Sequence, residues 1–290
     1  MASGMEGELQ GTQGNKGVFA GVLAGACILT ALLLAPSAQG QSAAPLQGTP
    51  PMPAPFSQDC QVGNAAIAVE SPLPNVSEAL RQHQKIKILA IGASTLVRRT
   101  ARRGGHTDEA REILQHAIKG LDVVMINRGV SGELSAQAAA RIQNEVALTE
   151  PDLVLWQVGT NDALAYVPLD ELENTVVETL RWLRDHKVDV VLVGLQYVDR
   201  MEQDTNYKAV RELLRTIATR ENVMIVRRYE AQRLLNQAKG SGGGLIPDEF
   251  QQSEAGYICL AQYLARAITL GVFGDAMKLR SHPAHPDSPL

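Results

Sequence analysis

Short runs rich in Val, Ile and Leu alternate with segments of helical periodicity from Lys85 onward. The runs that predict strands are, in chain order, "KIKILAIGAS", "DVVMINRGV", "DLVLWQVGT", "VDVVLVGLQ" and "NVMIVRR". Between them, segments such as "DEAREILQHAIK" and "YKAVRELLRTIATRE" repeat apolar residues at the three- and four-residue spacing of an amphipathic helix. Strands that are each separated by a helix need right-handed crossovers. The pattern therefore predicts a three-layer α/β/α sandwich with a five-stranded parallel sheet, as in flavodoxin-like folds.

The two ends of the chain lack this alternation. Residues 18–34 form an uncharged apolar run behind Lys16, and small residues follow it, which is typical of an export signal. A bilayer span takes about 20 apolar residues, so we expect residues 1–40 to be a signal peptide or, if uncleaved, a signal anchor over 17–35. Residues 41–59 predict a Pro-rich linker, 60–274 one folded domain and 275–290 a disordered tail. We expect an exported protein, periplasmic or secreted, with no membrane contact beyond an uncleaved N-terminal segment.

Composition and motifs exclude several classes of function. The 290 residues are 45% hydrophobic and 20% charged, with a net charge of −4, so nothing indicates a nucleic-acid partner. The loops carry neither a dinucleotide nor a phosphate-loop glycine motif, and the six histidines show no metal-ligand spacing. We therefore expect no cofactor and no metal. Cys27 lies in the export segment, which leaves Cys60 and Cys259 as either a disulfide or two buried thiols.

Four loops at the expected strand ends carry residues suited to chemistry. Ser94 lies in "IGAST", Gly129 in "NRGVSG", Asn161 in "VGTND" and Asp248 in "PDEFQQSEAGY" before the last helix. Each alone is typical of a helix cap or a turn. Because ligands of parallel α/β sheets bind outside the carboxyl ends of the strands, we expect the four to share one site.

This set of motifs resembles the SGNH (GDSL-type) hydrolases, in particular their exported bacterial branch, over nearly the whole folded region. The resemblance implies a serine esterase acting on a small-molecule or glycan acyl ester, such as acetylated carbohydrate. It implies that Ser94 is the nucleophile and Asp248 the triad acid. It also implies an oxyanion hole made of the Ser94 and Gly129 backbone N–H groups and the Asn161 side-chain amide. The family's catalytic histidine falls at Gln251.

Gln251 leaves the activity open, because a carboxamide cannot accept the serine proton as an imidazole does. Another base can substitute, either His106 from the loop that follows Ser94 or Asp248 itself. Alternatively, hydrolysis is lost and the protein is a binding or scaffold protein of the cell envelope that uses the same cleft. As a third alternative, Gln251 is a sequence variant. A flavodoxin-like ligand-binding domain unrelated to ester chemistry is a more distant interpretation.

Further side chains near these loops each have two possible interpretations. Arg98 and Arg99, together with His106, are candidate substrate contacts, since guanidinium groups bind carboxylates and phosphates; the alternative is a solvated basic loop. Trp156 and Tyr166 either line an acyl pocket or belong to the core.

Overall fold

The computed structural model describes residues 55–83, 85–92, 106–239 and 254–281. Within these ranges the strands are β1 (Ala68–Val69), β2 (Lys85–Gly92), β3 (Asp122–Gly129), β4 (Leu153–Gln157), β5 (Asp189–Val193) and β6 (Met224–Val226). The α-helices are α1 (Asn64–Ile67), α2 (Pro74–His83), α3 (His106–Ala117), α4 (Ser135–Thr149), α5 (Thr160–Leu164), α6 (Leu169–Asp185), α7 (Thr205–Arg220), α8 (Arg228–Lys239) and α9 (Glu254–Ser281).

The strands form one sheet in the order β1-β6-β5-β4-β2-β3. The five strands predicted from the sequence pair in parallel, and the α/β class is confirmed. The predicted count of five is one too low, because β1 adds a short antiparallel edge beside β6. A strand of two residues is too short to show an alternating pattern, which explains why the sequence does not reveal it.

Helices cover both faces of the sheet and enclose two hydrophobic cores. Residues of α2, α3, α8 and α9 pack with one face, and residues of α4, α6 and α7 pack with the other. Successive strand residues alternate between them: Leu155 belongs to the first core and Trp156 to the second. Two buried faces explain why the strands read as nearly continuous apolar runs.

The last helix is the largest single element of the first core. Over Ala255–Gly274, α9 is long and apolar enough to cross a membrane by composition, but 61% of that stretch is buried, as expected for a core helix. A disulfide joins Cys60 to Cys259 in α9, so the open question of the two thiols is settled in favour of a bond. The Tyr263 hydroxyl donates to the Cys60 carbonyl at 3.1 Å. The start of the folded region is thus tied to the final helix.

The fifth predicted strand, "NVMIVRR", is shorter than its sequence predicts. The structure begins α8 at Arg228, the last residue of that run. The strand β6 ends at Val226, so a single residue separates the two elements. The helical period of α8 is difficult to recognise in the sequence because the segment is mostly polar. Its first residues in the hydrophobic cores are Tyr229 and Ala231.

Candidate active site

The register of the sheet brings two of the predicted loops to one edge. Gly92, the last residue of β2, pairs with Gly129 on β3 and with Gln157 on β4. Gly92 has φ +120°, and a Cβ there would lie 2.2 Å from the Gln157 carbonyl oxygen, so this position requires glycine. The strand β2 therefore ends between β3 and β4.

Hydrogen bonds join the loop after β3 to the loop after β4. The Asn161 side-chain N–H donates to the Glu133 carbonyl at 2.8 Å. The Ser135 N–H and hydroxyl donate to Asp162 Oδ1 at 2.8 and 2.6 Å. The other Asp162 oxygen accepts from the Gly159 N–H at 3.2 Å. Asn161 and Asp162 thus join the segment after β3 to the segment after β4, while the shared site of Gly129 and Asn161 stays a prediction.

A partly buried ion pair holds the loop after β3 to α4. Arg141 in α4 donates to both Glu133 oxygens, at 2.7 and 3.0 Å. It also donates to the Arg128 carbonyl at 2.7 Å. The hydrogen bond to Glu133 raises the pKa of Arg141. Three bonds from one planar guanidinium give this loop a defined position relative to the helix.

Gly129 and Asn161, the two predicted oxyanion donors that the structure describes, differ in their hydrogen bonds. Asn161 uses one N–H on Glu133, and a carboxamide carries two. The Gly129 N–H donates to the side-chain oxygen of Asn127 at 3.0 Å. Sequence reasoning missed Asn127, although an Asn two residues before a loop glycine is a typical source of such a local side-chain bond. Stabilising an oxyanion through Gly129 requires this bond to open.

His106 differs from its predicted setting. It is the first residue of α3, not part of a loop, and it is only 2% exposed. Its ring stacks on Tyr257 of α9 with centroids 6.1 Å apart. Burial, aided by the positive charge of Arg228, lowers the pKa of His106 to about 3. Such an imidazole is a weak proton acceptor, which argues against His106 as the substitute base, and its burial argues against a substrate contact.

Arg228 places a buried guanidinium near His106. It is the second residue after β6 and is 1% exposed. Within the part of the chain that the structure describes, its Nε and Nη1 have no hydrogen-bond partner. Burial lowers the pKa of Arg228 to about 10, and the nearby Tyr207 and Tyr257 partly oppose this effect. The guanidinium therefore stays charged at neutral pH and disfavours a proton on His106.

The two aromatic candidates have opposite settings. Trp156 is fully buried in the second core, so it is a core residue and does not line a pocket. Tyr166 is 65% exposed and its hydroxyl donates to Asp204 at 3.1 Å. Among the described side chains, no cluster of His, Cys, Asp or Glu could hold a metal ion.

Several predicted residues fall outside the described ranges, and their roles stay predictions. These are the nucleophile, the triad acid, the residue at the histidine position and the two rim arginines: Ser94, Asp248, Gln251, Arg98 and Arg99.

The parallel sheet, the glycine at the end of β2 and the bonded Gly129 and Asn161 loops define an SGNH hydrolase-like protein. A profile of the non-GDSL lipase-like family matches residues 59–273. The chain belongs to the non-GDSL lipase-like family.

Known proteins of similar sequence and fold are esterases. The chain is 25% identical over 171 residues to an acetylxylan esterase of Geobacillus stearothermophilus, which covers 54% of this chain and 77% of that protein. It is 29% identical over 84 residues to an arylesterase of Vibrio mimicus, 29% of this chain and 40% of that protein. A solved catalytic mutant of the Geobacillus acetylxylan esterase Axe2 superposes with a TM-score of 0.53 at 23% identity, over 63% and 94% of the two chains. A two-domain esterase active on acetylated mannans superposes with a TM-score of 0.58 at 17% identity, over 79% and 61%.

Proposed function

We propose that this protein is an exported serine esterase of the SGNH type that removes small acyl groups, with acetylated carbohydrate as the substrate class. The observation that carries the proposal is the register of β2, β3 and β4, which ends at Gly92, Gly129 and Gln157 on one edge. Ser94, the proposed nucleophile, follows Gly92 by two positions in the sequence and lies outside the described residues. The acetylxylan esterase similarity supports the choice of substrate.

The donor half of the proposed site supplies electrostatic stabilisation. Attack of a serine hydroxyl on an ester carbonyl forms a tetrahedral oxyanion. Donors fixed in advance stabilise that charge without reorganisation, and each is worth about 10²–10³ in rate. Asn161 is fixed through Glu133, and Gly129 becomes a donor when Asn127 releases its N–H.

The proton-accepting half is weak in this chain. Gln251 stands where the family has its histidine, and among the described residues His106 has a pKa of about 3. In serine proteases that lose a triad member, the oxyanion hole and substrate binding still give about 10³–10⁴-fold acceleration over water. We therefore propose a slow esterase whose rate is limited by proton removal from Ser94.

The disulfide supports the proposed export. A bond between Cys60 and Cys259 persists in an oxidising compartment and is rare in a reducing cytosol. The apolar run at residues 18–34 supplies the expected signal. Cell fractionation of the expressed chain tests this part of the proposal, and retention in the cytosol would contradict it.

Hydrolysis of 4-nitrophenyl acetate and of acetylated xylan by the purified mature chain tests the activity. We expect slow release of acetate in the wild type, none above buffer in Ser94→Ala, and an increase of at least tenfold in Gln251→His. Ser131→Ala, which removes an exposed serine in the loop after β3, is the matched control and should behave as the wild type. If the wild type and Gln251→His both equal buffer, the esterase proposal is wrong, and the binding or scaffold alternative stands in its place.

A further inference from the structure

Exposed apolar side chains lie in the two segments that follow β3 and β4, which carry the proposed oxyanion donors Gly129 and Asn161. Among the described residues, Val130 follows Gly129 directly, and Leu164 and Tyr166 follow Asn161 within five residues; all three are exposed. Their loops begin at the carboxyl ends of β3 and β4, and hydrogen bonds hold those loops together. Apolar surface gathered at one place on a protein marks a binding surface more often than scattered residues do.

A hydrogen bond restrains the Tyr166 ring in the absence of a ligand. Its hydroxyl donates to Asp204 Oδ2 at 3.1 Å. Asp204 is itself fixed, because its Oδ1 accepts the Tyr207 N–H at 2.7 Å and so caps α7. Asn206 donates to the Ala163 carbonyl at 2.8 Å and joins α5 to the start of α7. A ring that is already ordered loses little conformational entropy when a ligand stacks on it.

The backbone at Tyr166 is in an uncommon conformation. Its φ is +55°, in the left-handed region that bulky residues rarely occupy. The ring gains little burial in return, because it is 65% exposed. An aromatic side chain that is held outward at an unfavourable backbone position suggests a functional constraint.

We propose that Tyr166 is the stacking platform of a subsite for the sugar ring of a neutral acylated saccharide. This inference rests on the esterase function proposed above and adds the part of the substrate that carries the ester. An aromatic ring presents an apolar face, which suits the C–H face of a pyranose. The Asp204 carboxylate beside it has about four acceptor sites and uses two in the bonds described, so it can accept from sugar hydroxyls.

The charges around the platform favour a neutral sugar. The Asp204 carboxylate accepts the hydrogen bond of the Tyr166 hydroxyl at 3.1 Å and so lies at the edge of the ring. A negative charge at this place would repel a uronic acid. The hydrogen bond to Asp204 also raises the pKa of Tyr166, so its hydroxyl stays protonated and keeps the ring in place. An anionic glycan is therefore the disfavoured alternative.

Substrate comparison tests the subsite. The catalytic efficiency, kcat/KM, is measured on acetylated xylo-oligosaccharide, on 4-nitrophenyl acetate and on acetylated oligogalacturonide. Tyr166→Ala should lower the ratio of the first to the second by about three- to tenfold, through KM. Tyr166→Phe keeps the ring and should lower it less. Leu148→Ala, which truncates an 80% exposed side chain at the far end of α4, should keep the wild-type ratio.

Two results would overturn the inference. One is an equal loss of kcat/KM on acetylated xylo-oligosaccharide and on 4-nitrophenyl acetate in Tyr166→Ala, which would mean a structural role. The other is a preference of the wild type for the galacturonide over the neutral oligosaccharide. Calorimetric titration with unacetylated xylo-oligosaccharide separates this inference from the esterase proposal. If no variant hydrolyses esters, the titration still tests the subsite. Binding by Tyr166→Ala that is three- to tenfold weaker than binding by the wild type and by Leu148→Ala supports the subsite. Equal binding by all three proteins, or no binding, rejects it.

Discussion

The buried His106 predicts a specific dependence of stability on pH. Its pKa is about 3 in the folded protein and 6.5 in a solvated histidine. The folded state therefore keeps the imidazole neutral, while the unfolded state binds a proton below pH 6.5. The stability that this group contributes is complete above pH 6.5 and is lost as the pH falls toward 3.

The magnitude follows from the two pKa values. Each pH unit below 6.5 removes about 1.4 kcal/mol of the free energy of unfolding, because only the unfolded chain takes up the proton. Between pH 8 and pH 5 the loss is about 2 kcal/mol. It would reach about 5 kcal/mol near pH 3.

Urea unfolding at pH 8, 6 and 5 measures this loss, with tryptophan fluorescence as the signal. His106→Phe keeps an aromatic ring against Tyr257 and removes the titrating group. From pH 8 to pH 5, the free energy of unfolding of the wild type should fall by about 2 kcal/mol more than that of His106→Phe. His116→Asn removes an exposed histidine on the same helix and should follow the wild type. If the difference between the wild type and His106→Phe is the same at pH 8 and pH 5, His106 is not a buried neutral imidazole.

Three further predictions concern the disulfide and the oxyanion loops. Cys60→Ser should lower the free energy of unfolding by about 3–5 kcal/mol, since the bond to Cys259 closes a loop with a sequence separation of 199; equal urea midpoints for oxidised wild type and mutant would contradict this. Asn127→Ala should raise kcat for acetyl-ester hydrolysis about two- to tenfold by releasing the Gly129 N–H, and Asn127→Asp should lower it; changes of the same sign would refute the reasoning. Asn161→Ala should reduce kcat by about 10²–10³, and an unchanged rate would remove Asn161 from the oxyanion hole.

The sequence predicts the sheet well because burial on both faces leaves a clear record. Each of the five parallel strands is an apolar run long enough to recognise, and each is followed by a helix. The positions of Gly129 and Asn161 follow from that alternation, since strand ends of a parallel sheet share one edge. Residues whose place is set by the backbone topology are therefore predictable from sequence.

The errors concern residues whose place is set by distant packing. His106 follows "RRGG", which predicts a loop, yet it stacks on Tyr257, a residue 151 positions further along the chain. Arg228 belongs to a polar segment, yet it is buried, with Tyr207 and Tyr257 close enough to affect its pKa. No local pattern encodes such contacts. Periodicity reports which face of an element is apolar, and it does not report which polar side chain the neighbouring elements will enclose.

The contacts made by the proposed donor residues and their neighbours also stabilise the fold. Asn161 and Asp162 join two loops, Gly92 avoids a clash with Gln157, and the Gly129 N–H has a partner in Asn127. Each of these contacts stabilises the fold whether or not the protein hydrolyses anything. Selection for stability alone would therefore keep the family's donor residues in a chain that had lost its base. It follows that the presence of these residues supports the fold, and that the case for hydrolysis depends on the loss of activity in Ser94→Ala.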